Sequence, residues 1–134
     1  MIVCNTQCQV MAMINQSLSE ASPPEREREL DNVFSALSNH RRRYVLSDLV
    51  RHFHPVPVHD LVARLAAWER GESTTDETHR LVHADLEENH LPAMAEAGLV
   101  EYSPTGALVL TTDGMRAERV RRACGKALDR PAWE

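Results

Sequence analysis

Aromatic side chains are scarce in this chain, at 4% of 134 residues, and lysine is nearly absent. The first shortage leaves Leu, Val, Ala and Met to build the core. The second leaves fourteen arginines to carry almost all the positive charge, with Lys126 as the sole lysine. The balance is nevertheless acidic, with a formal net charge of −5. That argues against a general nucleic-acid coat, which is usually basic. A lysine-poor, arginine-rich, acidic composition fits a protein of a salt-in halophile, and equally a GC-rich genome. No run approaches the ~18 apolar residues of a membrane span. The run Val10-Met11-Ala12-Met13-Ile14 is too short and has no basic region before it, so neither a membrane anchor nor a signal peptide is expected.

Cysteine is also sparse. Cys4, Cys8 and Cys124 make an odd count, which suits a reducing cytosol better than a disulfide framework. Cys4 and Cys8 share the four-residue spacing of a helix face, but a zinc site needs two further ligands and none lies close in sequence. They are read as incidental thiols. A glycine-rich phosphate loop and a Ser-His-Asp pattern are both missing. No catalytic residue, metal ligand set or cofactor is therefore expected, and the chain does not read as an enzyme.

Three segments follow from the punctuation. Residues 1–24 are rich in Gln, Asn, Ser and Met and close on Ser22-Pro23-Pro24. They read as a disordered leader, a dimerisation helix, or the product of an upstream start codon, with Met11 and Met13 as alternative starts. Residues 25–128 form the main domain, and 129–134 a short tail.

Helical periodicity divides the main domain. Leu30, Val33, Phe34 and Leu37 mark a first helix over 25–37. Ser38 or Asn39 caps a second helix over 40–53, with Val45, Leu46, Leu49 and Phe53 on one face. Arg42 lies at the end of that face, and Arg41, Tyr44, Asp48 and Arg51 lie opposite. Arg41 is thus expected in solvent, and Arg42 is expected to snorkel or to pair with a carboxylate. His54-Pro55-Val56-Pro57 is a stiff link able to supply a short strand. A third helix spans 58–70, with Val58, Leu61, Val62, Leu65 and Trp68 inward, and Gly71 ends it. Thr74 or Thr75 caps a fourth, with Val82, Leu86 and Ala93 inward. Pro92 has no N–H and its ring would meet the Glu88 carbonyl, so a kink or break is expected between His90 and Pro92. The pattern resumes through Met94 and Ala97 to Gly98. Residues 99–102 and 107–110 read as strands around a Ser103-Pro104-Thr105-Gly106 turn. A last helix, capped by Thr111, Thr112 or Asp113, runs to about residue 128.

This order predicts a mainly α fold with a small β-wing, a winged helix-turn-helix. The run Ala36-Leu37-Ser38-Asn39-His40-Arg41-Arg42-Arg43 resembles the opening of ArsR-type repressors, with Asn39-His40 where their proline stands. A closer resemblance, over about residues 30–110, is to an uncharacterised group of haloarchaeal winged-helix proteins. It rests on Arg42-Arg43-Tyr44-Val45-Leu46, Ala66-Ala67-Trp68-Glu69, His90-Leu91-Pro92, Ala97-Gly98-Leu99-Val100 and Glu101-Tyr102. The resemblance implies a cytosolic regulator of transcription.

In that architecture the second helix of the pair enters the major groove by its N-terminal residues. The candidates for DNA contact are Thr74, Thr75, Thr78, His79 and Arg80, with Thr105 at the wing tip. Threonine and arginine can read base edges, and a helix N-terminus can hold a phosphate. Double-stranded DNA is the expected partner of a homodimer that assembles through its terminal helices.

Charge opposes this assignment. From residue 72 to 90, six acids face a single arginine, Arg80, and the wing tip carries no basic residue. The alternative is a module that docks another protein and leaves DNA alone. Positive charge is concentrated instead in Arg116, Arg119, Arg121, Arg122 and Lys126, read as a solvated or dimer-flanking face. His79 and His83, four apart, and His52, His54 and His59 near the proline link invite a metal reading. Lacking paired cysteines or matched acids, they are read as half-buried polar groups, with His90 hydrogen-bonded near the kink. Glu69 is read as a structural partner of Arg42 or of a helix-end backbone group.

Overall fold

The computed structural model describes residues 22–128. The readings made for Cys4, Cys8, the apolar run at 10–14 and the C-terminal tail fall outside these residues. The chain divides into two compact units, Met1–Phe34 and Ser35–Glu134.

Helix α1, Pro23–Leu37, crosses that boundary. It starts on a reciprocal cap: the Ser22 N–H donates to Glu25 Oε2 at 2.7 Å, and the Glu25 N–H to Ser22 Oγ at 3.4 Å. Prolines at its first two positions cost nothing there, because those N–H groups have no intrahelical acceptor.

The second unit follows in the order α2 (His40–Val50), α3 (Val58–Arg70), a 3₁₀ turn (Gly71–Ser73) and α4 (Asp76–Asp85). A π turn (Leu86–His90), α5 (Leu91–Glu96), β1 (Val100–Tyr102), β2 (Leu108–Leu110) and α6 (Thr112–Leu128) complete it. Asn39 begins α2, its side chain accepting from the Arg41 N–H at 2.8 Å and the Arg42 N–H at 3.4 Å. Gly71 ends α3 at φ +57°, in the left-handed region that other residues avoid.

The strands are antiparallel, pairing Val100 with Leu110, Glu101 with Val109 and Tyr102 with Leu108. The proline link adds one bridge. Val56 and Leu108 exchange N–H···O=C bonds of 2.9 and 2.7 Å. The molecule is thus mainly helical with a two-stranded sheet, and among the described residues no helix is long and apolar enough to cross a membrane.

Its core is aliphatic, as the composition requires. Val45, Leu46, Leu49, Leu61, Val62, Leu65, Leu86, Leu91, Met94, Leu99 and Leu108 are buried, and among the described residues no aromatic joins them. Several expected core positions are corrected. Helix α2 stops at Val50, three residues early, so Phe53 loses the helical phase and stands fully in solvent. Trp68 is 59% exposed and lies against Tyr44. The π turn shifts the register downstream by one residue. Ala93, expected inward, is half-buried, while Met94, where the pattern was expected to resume, is buried. The distortion expected at Pro92 therefore falls just before it. The Leu91 N–H reaches back five residues to the Leu86 carbonyl, and the widened turn accommodates the proline ring.

The face of α2 opposite the apolar one, where Arg41 was expected in solvent, is covered too. Three pairs run along the α2–α3 seam: Arg41 with Glu69, Tyr44 with Trp68, and Asp48 with Arg64. The numbers rise along one helix as they fall along the other, so the two lie antiparallel. Asp48 is 3% exposed and takes both of its bonds, 2.9 and 2.8 Å, from the Arg64 guanidinium. A buried carboxylate requires such a partner.

Candidate nucleic-acid interface

Thr74 closes the turn between α3 and α4. Its hydroxyl donates to the carbonyls of Ala66 (3.1 Å) and Gly71 (2.9 Å). Thr75 caps α4 through a reciprocal pair with Thr78. The Thr78 N–H donates to Thr75 Oγ1 at 3.2 Å, and the Thr75 N–H to Thr78 Oγ1 at 2.7 Å. All three threonine hydroxyls are therefore engaged in building the helix start.

His79 and Arg80 follow. The His79 ring lies 5.3 Å from that of His59 on α3. The Arg80 guanidinium is exposed and pairs with Glu77 one turn back, Nη2 to Oε1 at 2.7 Å, which raises its pKa. The surrounding surface is acidic, since Glu72, Asp76, Glu77, Glu87 and Glu88 are all exposed. Five of the six candidate residues thus gather at one helix start. Thr105 lies apart, on the hairpin turn, its hydroxyl 2.9 Å from that of Ser103.

Behind this surface runs a polar network that sequence reasoning missed. Arg41 is half-buried, not solvent-facing. Its Nε and Nη2 meet Glu69 Oε2 and Oε1 at 2.7 and 2.9 Å, and its Nη1 meets Asp85 Oδ2 at 2.7 Å. His40 adds a 2.8 Å contact to Glu69. Glu69 is thus a structural partner as expected, but of Arg41 and His40 and not of Arg42. Among the described residues Arg42 finds no carboxylate. Its Nε donates to His90 Nδ1 at 3.0 Å and its Nη1 to Ser35 Oγ at 3.1 Å. Since arginine only donates, His90 Nδ1 carries a lone pair, and the Nε2–H points at Asp85 Oδ2, 2.7 Å away. His90 is hydrogen-bonded beside the helix distortion, as its place before Pro92 predicted.

The network sets the acidity of its members. Arg41 holds the Glu69 carboxyl below its usual range, with burial opposing and His40 assisting. Burial pushes the Asp85 carboxyl up, but hydrogen bonds from Asn89 and Arg41 outweigh it and bring the group to about 2. The same pairs raise Arg41 further. The chain thereby ties the start of α2 and the end of α3 to the end of α4.

Elsewhere, an apolar groove of about 280 Å³ opens between the end of α2, β2 and the start of α6, with Phe53, Val109 and Met115 at its exposed rim. Cys124 is exposed on α6. Among the described residues, no group of three or more His, Cys, Asp or Glu side chains is placed to hold a metal ion. His83 contacts Glu87 at 3.1 Å, and His52 stands against His54.

No curated protein and no solved structure matches the chain. A family model does, over residues 34–110, more than half the length and the whole stretch from the end of α1 through β2. The chain belongs to the family described as a domain of unknown function, DUF7344.

Proposed function

We propose that this chain is a DNA-binding transcriptional regulator of winged helix-turn-helix type, a homodimer in a high-salt cytosol. The observation that carries the reading is the order of the elements. A tightly turned helix pair, α3 and α4, precedes an antiparallel hairpin, and the start of α4 stands exposed with His79 and Arg80 just past its cap. In that architecture the second helix meets base edges, and its free N–H groups favour phosphate. The resemblance to haloarchaeal winged-helix proteins and, more distantly, to ArsR-type repressors supports the same reading. It assigns no catalytic group and no cofactor.

Acidity around α4 is compatible with DNA only where salt screens it. The Debye length falls to about 3 Å at 1 M salt. Arg80 must then exchange Glu77 for a base or a phosphate. The same acidity supports a second reading, a module that docks a basic protein partner.

Enrichment of pooled genomic duplex fragments at molar KCl separates the two. The regulator reading expects a reproducible subset, lost or altered in Arg80→Gln and little changed in Thr78→Ser, which keeps the cap hydroxyl. If nothing is enriched over a scrambled pool, the regulator reading fails and the docking module stands.

A further inference from the structure

We propose that the C-terminal half of α6 grips the phosphodiester backbone of duplex DNA, supplying the positive charge that α4 and the hairpin turn lack. The proposal rests on the DNA-binding reading above and assigns the phosphate contacts to a different element.

Only the first turns of α6 are buried, at Gly114, Ala117 and Glu118. From Arg119 to Leu128 every residue is exposed except the half-buried Arg121. That stretch contains Arg119, Arg121, Arg122 and Lys126 and no acid. Four of the chain's fifteen cationic side chains thus fall within ten residues of a protein whose net charge is −5. Arg119, Arg122 and Lys126 recur at three and four residues, which puts them along one side of the helix.

The neighbouring acid does not cancel them. Glu118 is buried and takes both bonds of Arg121, 2.8 and 2.7 Å, with Arg122 at 3.4 Å. Among the described residues, Arg119 and Lys126 have no ion-pair partner. Arg121, Arg122 and Lys126 edge a shallow hollow floored by Gly125, where even an added Cβ would meet nothing within 4 Å. The cationic side chains around it are therefore open to an incoming oxyanion. Favourable interaction with a helix C-terminus accounts for a cation in the last turn, such as Lys126, but fades before it reaches Arg119. A row of cations on an exposed helix, on an otherwise acidic body, fits a polyanion of regular charge spacing. Duplex DNA carries one charge per ~1.7 Å of axis.

The test is the salt dependence of affinity for an enriched duplex and for an unrelated one. It compares the parent with Arg119→Gln/Arg122→Gln/Lys126→Gln, leaving Arg121 to hold Glu118. Each phosphate that is no longer neutralised lowers the slope of log Kd against log salt by about 0.9. The expected result is a slope reduced by roughly one to three, with weaker binding to both duplexes and the ranking between them unchanged. The charge-preserving Arg119→Lys/Arg122→Lys variant should keep the parent slope. Circular dichroism melts guard against misfolding, and the single exposed substitutions Arg119→Gln and Lys126→Gln give the same readout with less perturbation. An unchanged slope in the neutralised variants overturns this proposal and leaves the regulator reading standing. Failure of the parent to enrich any duplex at molar KCl, or to bind the unrelated one at low salt, overturns both.

Discussion

Arg41 grips Glu69 at two points across the α2–α3 seam, Nε to Oε2 at 2.7 Å and Nη2 to Oε1 at 2.9 Å. Both side chains are largely withdrawn from water, at 22% and 13% exposure. Breaking a buried pair from one side strands the other charge, at a cost of about 3–5 kcal/mol when burial is complete. Arg41→Met should therefore destabilise by about 2–4 kcal/mol in urea unfolding. A cycle with Glu69→Gln should show coupling above about 1 kcal/mol. Coupling near zero would put the pair with ordinary surface ion pairs.

Acid should loosen the same network. The Asp85 carboxyl ionises at about 2 in the folded protein, against an ordinary 3.8. A depressed carboxyl stabilises the fold above its unfolded pKa and loses that contribution as pH falls through the folded one. The parent should lose about 1–2 kcal/mol from this group between about pH 4 and pH 2, after allowance for its partial exposure. Urea midpoints at about pH 5 and pH 2 should differ less in Asp85→Asn than in the parent. Glu69 is lowered as well, so Glu69→Gln should flatten an overlapping part of the curve.

Two glycines on α6 should respond oppositely to alanine. A Cβ on Gly114 would collide with the Leu99 carbonyl oxygen and lie 2.5 Å from Leu110 Cδ1. Neither the backbone nor a packed strand residue yields cheaply, so Gly114→Ala should cost about 2–4 kcal/mol. Gly125→Ala meets no neighbour and should stabilise by up to about 1 kcal/mol through helix propensity. Thermal melts of the two variants should move in opposite directions.

Phe53 should be dispensable to folding. It stands fully in solvent, so Phe53→Ser should change stability by less than about 0.5 kcal/mol. Leu46→Ala, at a position with no exposure, should cost about 2–5 kcal/mol. Equal losses in chemical denaturation would contradict the burial assigned to the two residues.

Removing the α4 cap should cost about 1 kcal/mol. Thr75→Ala loses the acceptor for the Thr78 N–H, whereas Thr75→Asp retains one. Melting temperatures of the parent and the Asp variant that both lie above that of the Ala variant would support this. Any DNA phenotype of Thr75→Ala must then be read against its loss of helix.

Local signals carried most of the fold. The caps at Asn39 and Thr75, the end of α3 at Gly71 and the hairpin around Ser103–Gly106 each depend on residues within a few positions of one another. The bridge from Val56 is foreshadowed by the flanking prolines. Long-range placement was less legible. A helical wheel sorts α2 into an apolar and a polar face, but it does not reveal that α3 lies along the polar one. Arg41 was consequently expected in solvent, and Tyr44 and Asp48 only opposite the apolar face. Their partners on α3 lie sixteen to twenty-eight residues away, and Arg41's second carboxylate, Asp85, forty-four, with no local pattern to announce them. Phe53 misled for a different reason: its apolar periodicity outlasts the hydrogen-bonded helix. At the candidate interface, residue type and spacing located the start of α4. They did not reveal that the threonine hydroxyls are consumed by the cap or that Arg80 is held by Glu77.

The π turn at Leu86–His90 carries a constraint on how this chain can vary in length. It is equivalent to one residue spliced into a continuous helix. Deleting a residue there would bring Leu91 and Met94 back into phase as a straight α-helix, except that Pro92 would then sit inside it with its ring against a carbonyl. Proline and extra residue are therefore locked together. Single deletions in this segment should persist only where position 92 has also changed, so the two alterations form a pair that sequences gain or lose as one.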